Sequence, residues 1–269
     1  MQTEKFYANK VCPRGSDLYY SLLYMQDKNR LPIIALHAFY QEVFNTLLKC
    51  SEYDVMQKRF QWWREEVSNF SNANASHPIL LLLSQFDINP DLLINIVINI
   101  ERYAYGNTFA TIYEQQQTII HSAGYREELC ASTLLTPSSN IPNTVFHELA
   151  LGLEIINHIH YLRTYLQSGI LPFSLELLEN THCAADNLFQ LEHNEKTKGL
   201  LSQQAKVAKT HINIALTHLP KSKQTRYFHT KANIQLKLLS ELEYMDFNVF
   251  TYQIKLNPLR KLWLARRNK

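Results

Sequence analysis

Apolar positions recur along this chain with the period of an α-helix. Leu36, Phe39/Tyr40, Val43 and Leu47 return every three or four residues and so line one face. The pattern predicts a helical block over 17–49, with Ser16 or Asp17 capping its start and Pro32 breaking it into a short helix and a longer one. A second helix is expected over 54–70. The polar stretch SNANASHP reads as a loop, and His77-Pro78 opens the next helix, because proline is tolerated at a first helical position. Helices over 79–85 and 90–105 follow, joined by the DINP turn. Another over 103–125 is either continuous with the last or kinked near Gly106, and one over 127–135 ends at TPSSNIPN. A long helix over 144–166, capped by Asn143 or Thr144, leaves through Gly169 and Pro172. Helices over 174–180, 187–219 and 221–242 and a short basic one over 257–267 complete the chain. No repeat, biased tract or linker divides it. Residues 1–269 therefore read as a single all-α domain.

Composition agrees. Glycine occurs only 6 times in 269 residues, which suits helices and not the turns of a β-rich fold. With 46% hydrophobic residues the chain can bury a sizeable core. The most apolar stretch, 79–86, is too short to span a bilayer, and Asp87 and Pro90 interrupt its continuation. The start has no apolar signal core. Cys12, Cys50, Cys130 and Cys183 lie far apart, with no C-x-x-C pair, and read as free thiols of a reducing, cytoplasmic compartment. No glycine-rich phosphate loop, G-x-S-x-G or zinc signature is present.

The net charge of +3 names no partner, but its distribution is uneven. The tail 255–269 holds Lys255, Arg260, Lys261, Arg266, Arg267 and Lys269 without an acid, and the rest of the chain is slightly acidic. Leu259, Leu262, Trp263 and Leu264 lie among those cations. That composition suits peripheral contact with an acidic membrane, at its inner face, and equally suits a terminal helix docking its apolar side. Nothing outside the tail is basic enough for nucleic acid.

Several phrases, in order, resemble the squalene/phytoene synthase family. Tyr19-Tyr20-Ser21-Leu22-Leu23, Arg30 and Ala35-Leu36-His37-Ala38-Phe39 are similar to its opening helices. Trp63-Arg64-Glu65-Glu66 resembles its W-R-x-E helix, and His77-Pro78 its H-P helix start. Ala150-Leu151-Gly152 through Leu162-Arg163 resembles the entry to its second catalytic helix, Leu171-Pro172 the L-P that follows, and Pro258-Leu259-Arg260-Lys261-Leu262-Trp263 the closing phrase of many bacterial members. The resemblance implies the isoprenoid synthase fold, helices around a central cavity. It also implies head-to-head joining of isoprenoid diphosphates, with Mg2+ held by aspartates on two facing helices.

The aspartates are not where the resemblance requires them. In place of the first motif stand Phe44-Asn45-Thr46-Leu47-Leu48, and Phe44 and Leu48 share a helical face. In place of the second stand Leu162-Arg163-Thr164-Tyr165-Leu166-Gln167-Ser168, with Thr164 and Ser168 at the aspartate positions. Magnesium demands hard oxygen ligands, and losing one transition-state charge partner costs roughly 2.7–4 kcal/mol. The expectation is thus a family protein with no catalytic or metal-ligating residue, no cofactor, and a cavity lined by His37, Gln41, Phe44, Asn45, Leu48, Asn157, Tyr161, Thr164 and Ser168. It would bind an isoprenoid-type lipid or a protein partner. The degenerate second motif and Met245-Asp246-Phe247-Asn248-Val249-Phe250 are also similar to a non-condensing branch that includes a mitochondrial assembly factor for respiratory complex I. The alternative is an active, Mg2+-dependent prenyltransferase with an unusual site.

Other constellations have plainer readings. His147, Glu154 and His158 share a helical face but read as a polar, solvent-facing stripe before they read as a metal site. Glu42 and Glu154 read as surface acids or salt-bridge partners before residual cavity acids. Trp62, Trp63 and Arg64 read as packing and pairing. The run Tyr103, Tyr105, Phe109 and Tyr113 reads as core before it reads as a lipid tunnel.

Overall fold

The computed structural model describes residues 2–50, 52–104, 108–136 and 138–267, which form helices and no strand. In chain order these are α1 (Gln2–Val11), α2 (Asp17–Leu22), α3 (Asp27–Lys49), α4 (Tyr53–Ser71), α5 (Pro78–Leu83), α6 (Pro90–Glu101) and α7 (Ile112–Ile119). A π-helical turn (Ile120–Gly124) runs on into α8 (Tyr125–Leu134). Then come α9 (Asn143–His160), α10 (Leu162–Gln167), α11 (Leu175–Asn180), α12 (Ala185–Phe189), α13 (Glu195–His218), α14 (Arg226–Tyr244) and α15 (Pro258–Arg267).

Local chemistry sets most helix starts. Ser16, His77, Asn89, Thr111, Ser174 and Asn194 each accept a hydrogen bond from a backbone N–H of the following turn, satisfying donors that the helix itself cannot. Glu66, buried on α4, accepts from the backbone N–H groups of Ser76 and His77 and from the Ser76 hydroxyl. That ties the entry of α5 to α4.

Three expected boundaries moved. Pro32 lies inside α3 and does not break it. It removes one hydrogen bond near the helix start, and the interruption falls earlier, between α2 and α3. There Arg30 donates to the carbonyls of Leu22 (3.0 Å) and Leu23 (2.7 Å). The helix expected over 144–166 is interrupted at Tyr161 (φ −101°, ψ 15°), which separates α9 from α10. The helix expected over 187–219 is two, with Leu191 in the left-handed region between them (φ 57°). Residues 105–107 lie outside the described residues, so the expected bend at Gly106 does too, while α7 begins only at Ile112.

The core centres on α9. Every residue from Ala150 to Ile156 is buried, the signature of a helix surrounded on all sides. Its closest neighbour is α13, and Gly152 is the point of contact. A Cβ there would sit 2.6 Å from Ile212 Cγ1 and 2.7 Å from the Ala208 carbonyl oxygen. Ala205, Ala208, Ile212 and Ala215 supply the matching small surface of α13. On the other side α9 faces α3, α8 and α14 across a cavity. Among the described residues no helix is long and apolar enough to cross a membrane.

Candidate functional site

The cavity encloses about 570 Å³, within the usual range of small-molecule sites. His37, Tyr40, Gln41 and Phe44 reach it from α3, Arg126 from α8, Glu154, Asn157 and His160 from α9, and Lys231, Gln235 and Leu238 from α14. Tyr161 and Tyr165 close one side, and Lys255, Leu256 and Lys261 stand at its edge. Of the residues expected from sequence, His37, Gln41, Phe44, Asn157 and Tyr161 are on this wall. Asn45 instead lines a separate depression beside Glu42, Trp62 and His77, and Leu48 packs half-buried against the core. Thr164 is exposed on α10, and Ser168 is half-buried just beyond it. Neither is among the cavity-lining residues; on α10 it is Tyr165 that faces inward, in helical step with Asn157 and Tyr161.

Where the first aspartate motif would begin, the wall is aromatic. Phe44 stacks on Tyr40 (centroids 6.1 Å apart, planes 10°) and meets Tyr165 edge-on (5.8 Å, 84°) and Tyr103 at 6.4 Å. Such rings gain from edge and offset contacts and offer no ligand to a hard cation.

Beside this cluster lies a charged network that sequence reading missed. Glu127 is fully buried and receives two cations on one oxygen, Arg126 Nε at 2.9 Å and Lys231 Nζ at 2.6 Å. Lys231 also donates to the Tyr227 hydroxyl (3.1 Å), which lies 2.7 Å from His37 Nε2. The Arg126 guanidinium sits 4.3 Å over the Tyr40 ring, a cation–π contact. Burial alone would raise the Glu127 carboxyl, but Lys231 and Arg126 outweigh it and hold the group below the usual carboxylate value. Burial pulls the Lys231 ammonium down, against the pull of Glu127. Burial, reinforced by the nearby Lys231 and Arg126 charges, keeps His37 well below its ordinary value and so neutral. The signal available in sequence was the run Arg126-Glu127-Glu128 in an otherwise buried helix.

The matches to known proteins follow this geometry. The sequence model of squalene/phytoene synthase matches residues 13–260. The chain belongs to the squalene/phytoene synthase family. A dehydrosqualene synthase solved in complex with ligand superimposes with TM-score 0.87 at 14% identity, covering 99% of this chain and 95% of that one. Squalene synthase HpnC from Alicyclobacillus acidocaldarius gives TM-score 0.75 at 12% identity over 92% and 94% of the two chains. YisP from Bacillus subtilis subsp. subtilis strain 168 gives 0.71 at 11% over 98% and 94%. No curated protein matches the sequence.

For a family member whose resemblance implies bound magnesium, the residues present do not fit the ion. The first motif presents the Phe44 ring and the Leu48 side chain, and the hydroxyls of Thr164 and Ser168 are off the cavity wall. Among the described residues no group of three or more His, Cys, Asp or Glu side chains is placed to hold a metal. The stripe His147, Glu154 and His158 is not solvent-facing as expected. Glu154 and His158 are buried, 4.0 Å apart, and His147 pairs with Glu128 (2.7 Å). His158 instead packs among the rings of Tyr103, Tyr165 and Phe173. Glu154 accepts from Asn157 (3.1 Å), and Glu42 pairs with Lys10 away from the cavity. Trp63 packs on Phe39 and Arg64 pairs with Glu101. Of the aromatic run, Tyr103 and Phe109 are buried, Tyr113 is exposed, and Tyr105 lies outside the described residues.

Proposed function

We propose that this family member does not perform the magnesium-dependent condensation and keeps the central cavity to bind an isoprenoid-type lipid. One observation carries the reading. Phe44 occupies the first metal-motif position and is held there by Tyr40, Tyr103 and Tyr165. Metal-assisted departure of a diphosphate needs magnesium to neutralise its growing charge, and this aromatic wall offers no carboxylate to hold the ion. The same wall, with Leu238 and Leu256, offers apolar surface to a prenyl chain.

The test incubates purified protein with farnesyl or geranylgeranyl diphosphate and Mg2+, follows pyrophosphate, and extracts co-purifying lipid for mass spectrometry. No release above a chelated control, with lipid retained, is the expected result. Sustained release abolished by chelation would overturn the reading. Neither turnover nor lipid would shift it to a partner-binding role.

Access from a membrane surface belongs to the same reading. α15 exposes Leu259, Leu262 and Trp263 next to Arg266 and Arg267, a composition that seats helices at acidic interfaces. Lys255, Leu256 and Lys261 of this segment also edge the cavity. Co-sedimentation with vesicles containing phosphatidylglycerol is expected, and Leu259→Glu/Trp263→Glu should abolish it. Equal sedimentation with neutral vesicles would count against a charge-guided contact.

A further inference from the structure

A ligand that is hydrocarbon throughout would leave part of this cavity wall unused. Arg126 is only 6% accessible yet lines the cavity. Its Nε is committed to Glu127, and its guanidinium carbon lies over Tyr40. Among the described residues its terminal nitrogens, Nη1 and Nη2, make no hydrogen bond. A nearly buried guanidinium whose two terminal nitrogens open onto the cavity has donors ready for an acceptor bound there. Lys231 stands on the same wall, bonded to the same Glu127 carboxylate.

Charge decides the kind of acceptor. Arg126 and Lys231 face one carboxylate in Glu127, which leaves one positive charge. Glu154, on the same wall, offsets that charge and Asp17 matches Lys261, while Lys255 at the cavity edge restores one positive charge. Such a wall takes a single negative charge held by directed hydrogen bonds and resists the multiple charge of a diphosphate. The terminal nitrogens of a guanidinium form the fork that matches a carboxylate bidentately.

We propose that this wall receives the acid group of an apolar-tailed carboxylic acid. The carboxylate lies on Arg126 Nη1 and Nη2 beside Lys231, and the tail runs over Phe44 and Tyr165. The proposal rests on the cavity-binding reading above and names the ligand class of that same site.

The experiment compares farnesoic acid, farnesol and magnesium-free farnesyl diphosphate, which share a tail and differ in head group, by calorimetric titration at pH 7.5. Farnesoic acid is expected to bind about 10-fold or more tighter than farnesol, as a charge-assisted fork allows, and tighter than the diphosphate. Arg126→Gln should bring acid and alcohol to equal affinity, the acid losing far more than the alcohol. Arg126→Lys keeps the charge beside Glu127 but loses the fork, so it remains informative if the glutamine variant fails to fold, and most of the preference should vanish with it. Equal binding of acid and alcohol to the unaltered protein, or tighter binding of the diphosphate, overturns the acid-site assignment while leaving the cavity reading intact. Binding of none of the three overturns the cavity reading itself.

Discussion

Glu127 and Lys231 are 104 positions apart in the chain and 2.6 Å apart in the fold. The carboxylate has no contact with solvent, and Arg126 donates to the same oxygen as Lys231. Removing one member of a buried ionic group leaves the others uncompensated, which costs about 3–5 kcal/mol. Glu127→Gln should therefore lower stability by about that amount. The double variant Glu127→Gln/Lys231→Met should recover part of the loss, because only one cation then stays unmatched. Urea denaturation of the two variants checks both statements, and additive losses would refute the coupling.

The Phe44 cluster separates packing from catalysis. Phe44→Ala should destabilise the fold by about 2 kcal/mol, less than a fully buried phenylalanine would, because Phe44 is only half-buried. Phe44→Asp/Leu48→Asp returns carboxylates to the first motif, but Thr164 and Ser168 stay off the cavity wall. No magnesium-dependent pyrophosphate release is expected from that pair. A phosphate-coupled assay decides it.

Acid should weaken the fold in two stages. Burial lowers His158 from the ordinary histidine value of 6.5, and His37 lies well below it for the same reason, helped by nearby cations. The unfolded chain then takes protons that the folded chain refuses. Stability is full above 6.5 and falls as pH drops below it. The lowered carboxyl of Glu127 adds a second loss below the unfolded value of 4.5. The urea midpoint at pH 5.5 should lie below that at pH 7.5, and His158→Gln should shrink the difference. A flat profile between those pH values would contradict the histidine assignment.

Two glycines in the α9–α13 pair should answer oppositely to alanine. At Gly152 a methyl group meets Ile212 and the Ala208 carbonyl at under 3 Å, and overpacking of this kind costs about 1–3 kcal/mol. At Gly199, inside α13, a methyl meets open space, so alanine should stabilise by about 0.5–1 kcal/mol through helix propensity. Thermal unfolding of both variants measures the contrast, and equal shifts would refute it.

Features written locally were readable in the sequence. The all-helical class followed from the spacing of Leu36, Phe39, Val43 and Leu47, and the Ser16 cap and the proline after His77 located two helix starts. Features that depend on distant parts of the chain were not. Arg126, Glu127 and Lys231 look like surface charge until α8 and α14 face each other, and His158 looks solvated until the rings of Tyr103, Tyr165 and Phe173 enclose it. The interruption at Tyr161 carries neither glycine nor proline to announce it. Pro32 announces a break that tertiary packing overrides, since the surrounding turns of α3 are buried from Pro32 to Leu36.

The inward placement of Tyr161 and Tyr165 bears on how this lineage can change. Were residues 164 and 168 on the wall, a few exchanges would rebuild an oxygen-rich cage. Here Tyr161 and Tyr165 are on the cavity wall and residues 164 and 168 are off it, so an acid introduced at 164 would project into bulk water. An oxygen-rich cage on this side would have to be built at Tyr161 and Tyr165, whose rings now close it, and exchanges at 164 and 168 alone would bring no benefit.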